Sequence, residues 1–447
     1  MAFDYDLVIV GHTPAGVAAA LEATQQGARV ALVNHNLPPA IAPYIRYGLR
    51  YWSSQQRTEW AAVDWPAITA QIQGGVAAIT EQWSPAVLGM AGVDWVAGMA
   101  EFVTEPALGL QVGERVLRSR AYLLALETTT ARPELAGLNV LTVDQLLTLP
   151  QLPAQLAIVG HQLDAVELAQ SLQRLGSQIT LICRDRLLPH EDPSLVQRIQ
   201  AILDGSGVTV LPHSPIQQLK VLDGQTWLQL PEQALATDAL LWLDRPQPEQ
   251  SGLHLDRVQV TVHPHGIPVT ATLQTHHPRI YGIGAGLGGY DLPHLAQAEA
   301  TQAVHHALKR HRRAMDYRTI PIILHTDPAF ARVGLTVVQA RAHYGEAVLC
   351  HQTYIKDSAS AALRGTTTGL CRVVVLPSGE LLGAAVLGSA ASEAIAVFAL
   401  ALAQRLTLDD LPSHLFPQPS FSEAIAELLT RWHQHHPVPR WRQWWPF

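Results

Sequence analysis

DYDLVIVGHTPAGVAAALEATQQGARVALVN, residues 4–34, is the stretch whose reading decides the fold. Residues 6–10 form a short, almost wholly apolar run, the composition of a parallel strand buried on both faces. A turn carrying Gly11, Pro14 and Gly16 follows, then an alanine-rich helical stretch that stops before Gly27. Residues 28–33 read as a second buried strand. In such a strand–turn–helix–strand unit a dinucleotide pyrophosphate rests on the first amides of the helix, here around Gly11, Pro14, Ala15 and Gly16. Two positions depart from the G-x-G-x-x-G pattern and its trailing acid. The middle glycine is Thr13, which crowds the point where backbone approaches phosphate. The acid is Asn34, which can still hydrogen-bond a ribose hydroxyl without a charge.

Outward from this unit the same architecture recurs. An apolar strand is expected at 155–159, a turn at Gly160, an amphipathic helix at 164–175 and another strand at 178–183. Two mononucleotide-type units in one chain are a stronger signal than one. Here the later glycines are replaced, and Arg184 and Arg186 follow the strand where a base would favour the 2′-phosphate of NADP. Between the units, 44–52 reads as helix, 101–125 as a three-strand meander and 123–133 as a strand entering a Thr-rich turn. Past Gly266, a strand at 279–283 delivers Gly284, Gly286, Gly288 and Gly289 to a helix at 292–311. That is a second place where backbone amides could face a pyrophosphate. From Tyr317 onward the glycine motifs cease and a separate C-terminal domain is expected.

A chain of 447 residues has room for two to four domains. Its net charge of −7 gives no electrostatic case for nucleic acid or an anionic membrane. Cys183, Cys350 and Cys371 stand far apart, which argues against a disulfide framework and a cysteine zinc site. His433, His435 and His436 cluster near the C-terminus without a carboxylate or cysteine at ligand spacing, so no metal site is expected. No secretory leader is expected, and 381–403 reads as a strand plus buried helix rather than a membrane span. A cytoplasmic protein is the resulting expectation.

Four stretches in order resemble the FAD-dependent pyridine nucleotide–disulfide oxidoreductases, the family of dihydrolipoamide dehydrogenase, glutathione reductase and mercuric reductase. They are the fingerprint at 4–34; TTTARP at 128–133, similar to the A-T-G-x-x-P crossing turn; IYGIGA at 280–285, similar to the Y-A-x-G-D motif; and the C-terminal third through QPSFSEAI. The resemblance implies an α/β fold with two Rossmann-like dinucleotide-binding domains and a C-terminal α+β dimerisation domain. Residues 1–150 and 266–316 would form the FAD-binding domain, 151–265 an NAD(P)-binding-like domain, and 317–447 the dimerisation domain with an aromatic tail. It further implies FAD, a possible NAD(P)H donor, a homodimer and a small-molecule electron acceptor.

The departures are chemical. The region 37–52, where the family carries its C-x-x-x-x-C disulfide, has no cysteine, and thiol exchange requires a thiolate. Gln418 replaces the family's acid–base histidine while Glu423 is retained, and a glutamine cannot shuttle a proton near neutral pH. Glu167 matches the glutamate of the flavin-side Lys–Glu pair, with Arg46 or Arg50 in the lysine's region. Ala285 replaces the aspartate of G-D. The implied roles are therefore Gly11 and Gly16 at the pyrophosphate turn, and Asn34 at the ribose. Thr129, Thr130, Gly284 and Ala285 would line the cofactor, with Glu167 and Arg46 beside the flavin. Glu423 of the partner subunit would orient a substrate, and Gly160, Arg184 and Arg186 would face a nicotinamide cofactor. An oxidoreductase passing electrons to a non-thiol acceptor such as a quinone is the first expectation. A flavoprotein sensor whose nicotinamide site is degenerate, or blocked by the tail with Trp441, Trp444, Trp445 and Phe447, is the second. A binding protein that has lost flavin is the third.

Overall fold

The computed structural model describes residues 3–35, 41–55, 64–130, 132–133, 135–309 and 314–436. The expectations for the aromatic tail, and for residues 37–40, lie outside them. Two compact units emerge: Met1–Arg186 with Val208–Met315, and Leu187–Gly207 with Asp316–Phe447.

The first unit is built on two parallel sheets. In the first, Ile280–Gly282, Ser119–Leu124, Tyr5–Val10, Val30–Val33 and Val93–Val96 lie side by side in that order. Alternation along the central strand separates two cores. Leu7 and Ile9 pack with Ala19, Ala20 and Ala23 of the helix Pro14–Gln25 and with Ala300, Ala303 and Val304 of the helix Pro293–Lys309. Val8 and Val10 pack on the opposite face with Phe102, Leu110 and Tyr122. That face is covered by an antiparallel meander of Ala100–Val103, Gly109–Val112 and Arg115–Leu117. The expected meander therefore stops at Leu117. Ser119–Leu124 joins the parallel sheet instead, because its last four residues are buried on both faces, which suits a central strand.

The second sheet repeats the plan with Thr209–Leu211, Gln178–Ile182, Gln155–Val159, Ala239–Trp242 and Val140–Leu141. The helix Leu163–Arg174 follows its central strand and packs against Ala42–Gln55, the helix expected from the aromatic and basic stretch. Thr128–Thr130 does not turn. It pairs antiparallel with Pro246–Pro248 as a two-stranded ribbon, in keeping with the strand preference of β-branched threonine.

The second unit is an antiparallel sheet of Ile322–Leu324, Ala329–Gly334, Leu381–Gly388, Leu370–Val375 and Leu349–Tyr354. The helices Ala391–Ala403 and Glu423–His435 contribute Phe398, Leu429 and Trp432 to its core. The long apolar stretch is thus a strand and a helix, as its small residues and Glu393 suggest. Among the described residues no helix is long and apolar enough to cross a membrane. Leu187–Gly207 belongs to this unit. Glu191 accepts two hydrogen bonds from Arg332 at 2.7 and 3.0 Å, and Asp192 accepts from the amides of Val337 and Val338.

Candidate functional site

At the C-terminal edge of the first sheet, three glycines let backbone segments meet. Gly11 has φ of +120°, and a Cβ there would stand 2.0 Å from the Ala125 carbonyl oxygen. A Cβ at Gly16 would stand 2.1 Å from the Gly11 carbonyl oxygen. Gly284, at φ +74°, comes against Ala15, and its N–H donates to the buried Glu299 carboxylate at 2.7 Å. The two glycine loops expected to face a pyrophosphate therefore converge on the start of the helix Pro14–Gln25, and Ala285 lies in the one-turn helix Gly284–Leu287. The backbone donors that this cradle could offer a dinucleotide are reduced. Pro14 carries no N–H, and the Gly16 amide donates to Thr13 Oγ1 at 3.0 Å, so Thr13 caps the helix where a phosphate would otherwise. Asn34 is fixed at the end of its strand by its amide, which donates to Val96 O at 3.1 Å.

His35 was not singled out by the sequence. Its Nδ1 accepts from the Ala100 amide at 2.9 Å, so Nε2 carries the proton and donates to Ser251 O at 2.8 Å. Its left-handed backbone, φ 51°, has no sequence signature.

Arg46 and Glu167, paired by resemblance, are brought together by the packing of their two helices. Arg46 Nε lies 3.6 Å from Glu167 Oε2, and Nη2 lies 3.6 Å from Asp291 Oδ2. Arg46 is only 8% exposed. Burial opposes its charge, but Asp291, Glu167 and Asp164 outweigh that and hold the guanidinium above its usual range. Burial also lifts the Asp164 carboxyl, against the pull of Arg46. Glu127 is a second residue the sequence did not flag. Burial first, then the fields of Asp291, Asp144 and Glu249, push its carboxyl up to about 7, and its Oε1 makes no hydrogen bond among the described residues. A glutamate interrupting LLALETTT was the available signal.

Thr129 and Thr130 lie on the ribbon paired with Pro246–Pro248. Thr130 Oγ1 donates to Trp242 O at 3.2 Å, and Thr129 is exposed on the ribbon. The cradle is instead closed by Ala125 against Gly11 and by Leu126, whose carbonyl accepts from the Gly286 amide at 3.1 Å. The chain leaves the sheet edge a few residues before the TTTARP match.

At the edge of the second sheet, Gly160 allows close packing: a Cβ would stand 2.9 Å from that of Ala165. Arg184 reaches a cleft of about 180 Å³ lined also by Trp242, Ser214, Gln217 and Asp244. Its guanidinium donates to Asp244 Oδ2 through Nε at 3.1 Å and Nη2 at 2.8 Å. Arg186 is exposed and is not part of that lining.

Elsewhere, Glu423 accepts from the amides of Ser420, Ala359 and Ser360 at 2.7, 2.8 and 3.3 Å. Its carboxylate thus clasps backbone at two helix starts of its own unit. Cys183 and Cys371 are buried, with thiols pushed by burial up to about 12, and Cys350 is exposed. His436 stacks on Trp432 at 3.8 Å, and among the described residues no group of side chains is suited to hold a metal.

The family model described as pyridine nucleotide-disulphide oxidoreductase matches residues 5–300, and that of its dimerisation domain matches residues 320–429. Among curated proteins, a mercuric reductase of Staphylococcus aureus is 28% identical over 447 residues, covering 94% of this chain and 81% of the relative. A dihydrolipoyl dehydrogenase of Bacillus subtilis (strain 168) is 27% identical, covering 95% and 97%. Among solved structures, LpdA of Mycobacterium tuberculosis superposes with a TM-score of 0.86 at 21% identity, covering 95% of this chain and 99% of that one.

Proposed function

Because the chain belongs to the pyridine nucleotide-disulphide oxidoreductases, we propose that it passes electrons from FAD to a small non-thiol acceptor such as a quinone. Its homologues are oxidoreductases, family members bind FAD and use NAD(P)H, and the dimerisation domain supports a homodimer. In this reading residues 1–150 and 266–316 hold FAD, 151–265 receive the nicotinamide donor, and 317–447 form the dimer contact. A cytoplasmic location, where nicotinamide cofactors are available, goes with it. Bound FAD would accept a hydride from NAD(P)H and release two electrons to the acceptor.

The chain's own residues divide the remaining work. Gly11, Ala15, Gly16, Gly284 and Ala285 form the pyrophosphate cradle, and Asn34 takes the ribose. Arg46 and Glu167 flank the ring with a fixed ion pair. One observation carries the choice of acceptor. The helix Ala42–Gln55 presents the clamped Arg46 and no cysteine, and a disulfide relay needs thiolates there. The test is steady-state NAD(P)H oxidation by FAD-loaded protein with a benzoquinone, run beside lipoamide and glutathione disulfide. Quinone turnover without disulfide turnover is expected, and disulfide reduction at a comparable rate would refute the reading.

The reading of a sensor flavoprotein is favoured by two commitments, the Gly16 amide to Thr13 and the Glu423 carboxylate to backbone. A yellow protein that turns over with no acceptor would select it.

A further inference from the structure

Reduction of a quinone to a hydroquinone takes up two electrons and two protons, whereas a nicotinamide donor supplies two electrons and one proton as a hydride. The second proton has to reach the acceptor from the protein or from water. Gln418 stands where the family's acid–base histidine is expected and cannot carry it. Three acids already placed at the site are committed to partners. Glu299 accepts from the Gly284 amide at 2.7 Å, and Glu167 and Asp291 each lie 3.6 Å from the Arg46 guanidinium. Glu127 is placed differently. It directly follows Leu126, whose carbonyl accepts from the Gly286 amide at 3.1 Å and closes the cradle, and its own carbonyl accepts from the Glu249 amide at 2.9 Å. The backbone around it is thereby fixed, while the carboxyl Oε1 is buried and makes no hydrogen bond among the described residues. Buried polar atoms are rarely left unpaired, and a catalytic role is one of the few reasons to keep one. The residue as a whole is only partly buried, so protons can return to it from solvent. The charged groups acting on it are Asp291 ahead of the helix Pro293–Lys309, Asp144 of the helix Val143–Leu146, and Glu249 behind the strand Pro246–Pro248. Each of them disfavours its ionisation, and with burial they keep the carboxyl protonated up to about pH 7. An acid poised near the working pH can pass a proton on and take one back.

We propose that Glu127 is the internal acid of this site, holding the proton that completes the hydroquinone. This rests on the reading of the chain as a flavoprotein that reduces a quinone. In each turnover the Glu127 O–H bond breaks as an oxygen of the two-electron-reduced acceptor gains the proton. The carboxylate left behind is reprotonated from water. The sum is one nicotinamide donor, one quinone and one solvent proton giving the oxidised nicotinamide and the hydroquinone.

The experiment is stopped-flow reoxidation of anaerobically reduced, FAD-loaded protein by benzoquinone and by ferricyanide. Benzoquinone takes protons with its electrons, and ferricyanide takes electrons alone. In the unmodified protein the benzoquinone-to-ferricyanide rate ratio is expected to fall about tenfold between pH 6 and pH 8, as Glu127 loses its proton. Glu127→Gln is expected to lower that ratio by about tenfold or more at pH 6 and to flatten its pH dependence. Infrared difference spectra of the oxidised parent against E127Q should show a protonated carboxyl at pH 6 that is largely gone at pH 8. An unchanged ratio in E127Q, a pH-independent ratio in the parent, or no protonated carboxyl at pH 6 would each overturn the proposal. Should E127Q fail to hold FAD, the pH profile of the parent decides. If ferricyanide reoxidises the protein and benzoquinone does not, the quinone reading itself falls, and this inference with it. Quinone reoxidation with the same ratio in parent and E127Q sinks this inference alone.

Discussion

Thr13 places a methyl and a hydroxyl where the fingerprint has glycine, and the hydroxyl caps the Gly16 amide. Replacing it with glycine frees that donor while costing the helix only a few tenths of a kcal/mol, since glycine is a tolerable N-cap. Thr13→Gly is therefore expected to tighten FAD about fivefold, the equivalent of one net hydrogen bond. Calorimetric titration of apoprotein with FAD checks it, and weaker binding would show that the Thr13 cap helps form the cradle. Glu127 yields a pH prediction. Its folded pKa, about 7, lies above the ordinary carboxyl value of 4.5, so between these the native chain holds a proton that the unfolded chain releases. This group's contribution is intact below about pH 4.5 and is lost as pH rises to about 7. Glu127→Gln should then be more stable than the parent at pH 8 by about 1–3 kcal/mol and no more stable at pH 4. Denaturant unfolding at the two pH values measures this. Arg46 and Glu167 were legible because a family pattern named the pair. Glu127 and Asp244 were not, since a lone acid at a strand end acquires meaning only from the groups that fold around it.

The strand–turn–helix–strand units were legible at the level of whole elements. An apolar run, a glycine turn and an alanine-rich helix each favour one local structure, and tertiary packing favours the same one. Gly11 shows the strength of the constraint: its φ of +120° and the Ala125 carbonyl 2.0 Å from a would-be Cβ leave no room for a side chain. The Thr-rich ribbon was misjudged as a turn because its strand partner, Pro246–Pro248, lies more than a hundred residues later. Glu423 is argued at this scale too. Its carboxylate receives three backbone amides and holds the start of Ala359–Arg364 against the start of its own helix. Glu423→Ala should destabilise the second unit by about 1–3 kcal/mol through lost capping, read by thermal unfolding. If stability is unchanged while quinone turnover falls, the carboxylate's role is chemical rather than structural.

For the whole molecule, the division into units crosses the sequence order. Leu187–Gly207 lies between strands of the second parallel sheet in the chain but is tied to the C-terminal unit by Glu191–Arg332 and by Asp192 on the Val337 and Val338 amides. A chain ending at Met315 would leave Glu191 and Asp192 without these partners, and breaking a buried ion pair is strongly destabilising, by about 3–5 kcal/mol. Such a truncation is expected to be cut by trypsin at Arg198, within this segment, while the full chain resists; equal resistance would show that the segment is held from elsewhere. The sequence by itself determined the two repeated nucleotide-binding units, a separate C-terminal unit and the absence of cysteine from 37–52, because periodicity, glycine placement and residue identity are local properties. Only the tertiary structure decided which unit owns Leu187–Gly207, that Thr13 occupies the Gly16 amide, and that Arg184 is already bound by Asp244. Those outcomes depend on distances between residues remote in sequence, and an unfolded string of letters does not contain them.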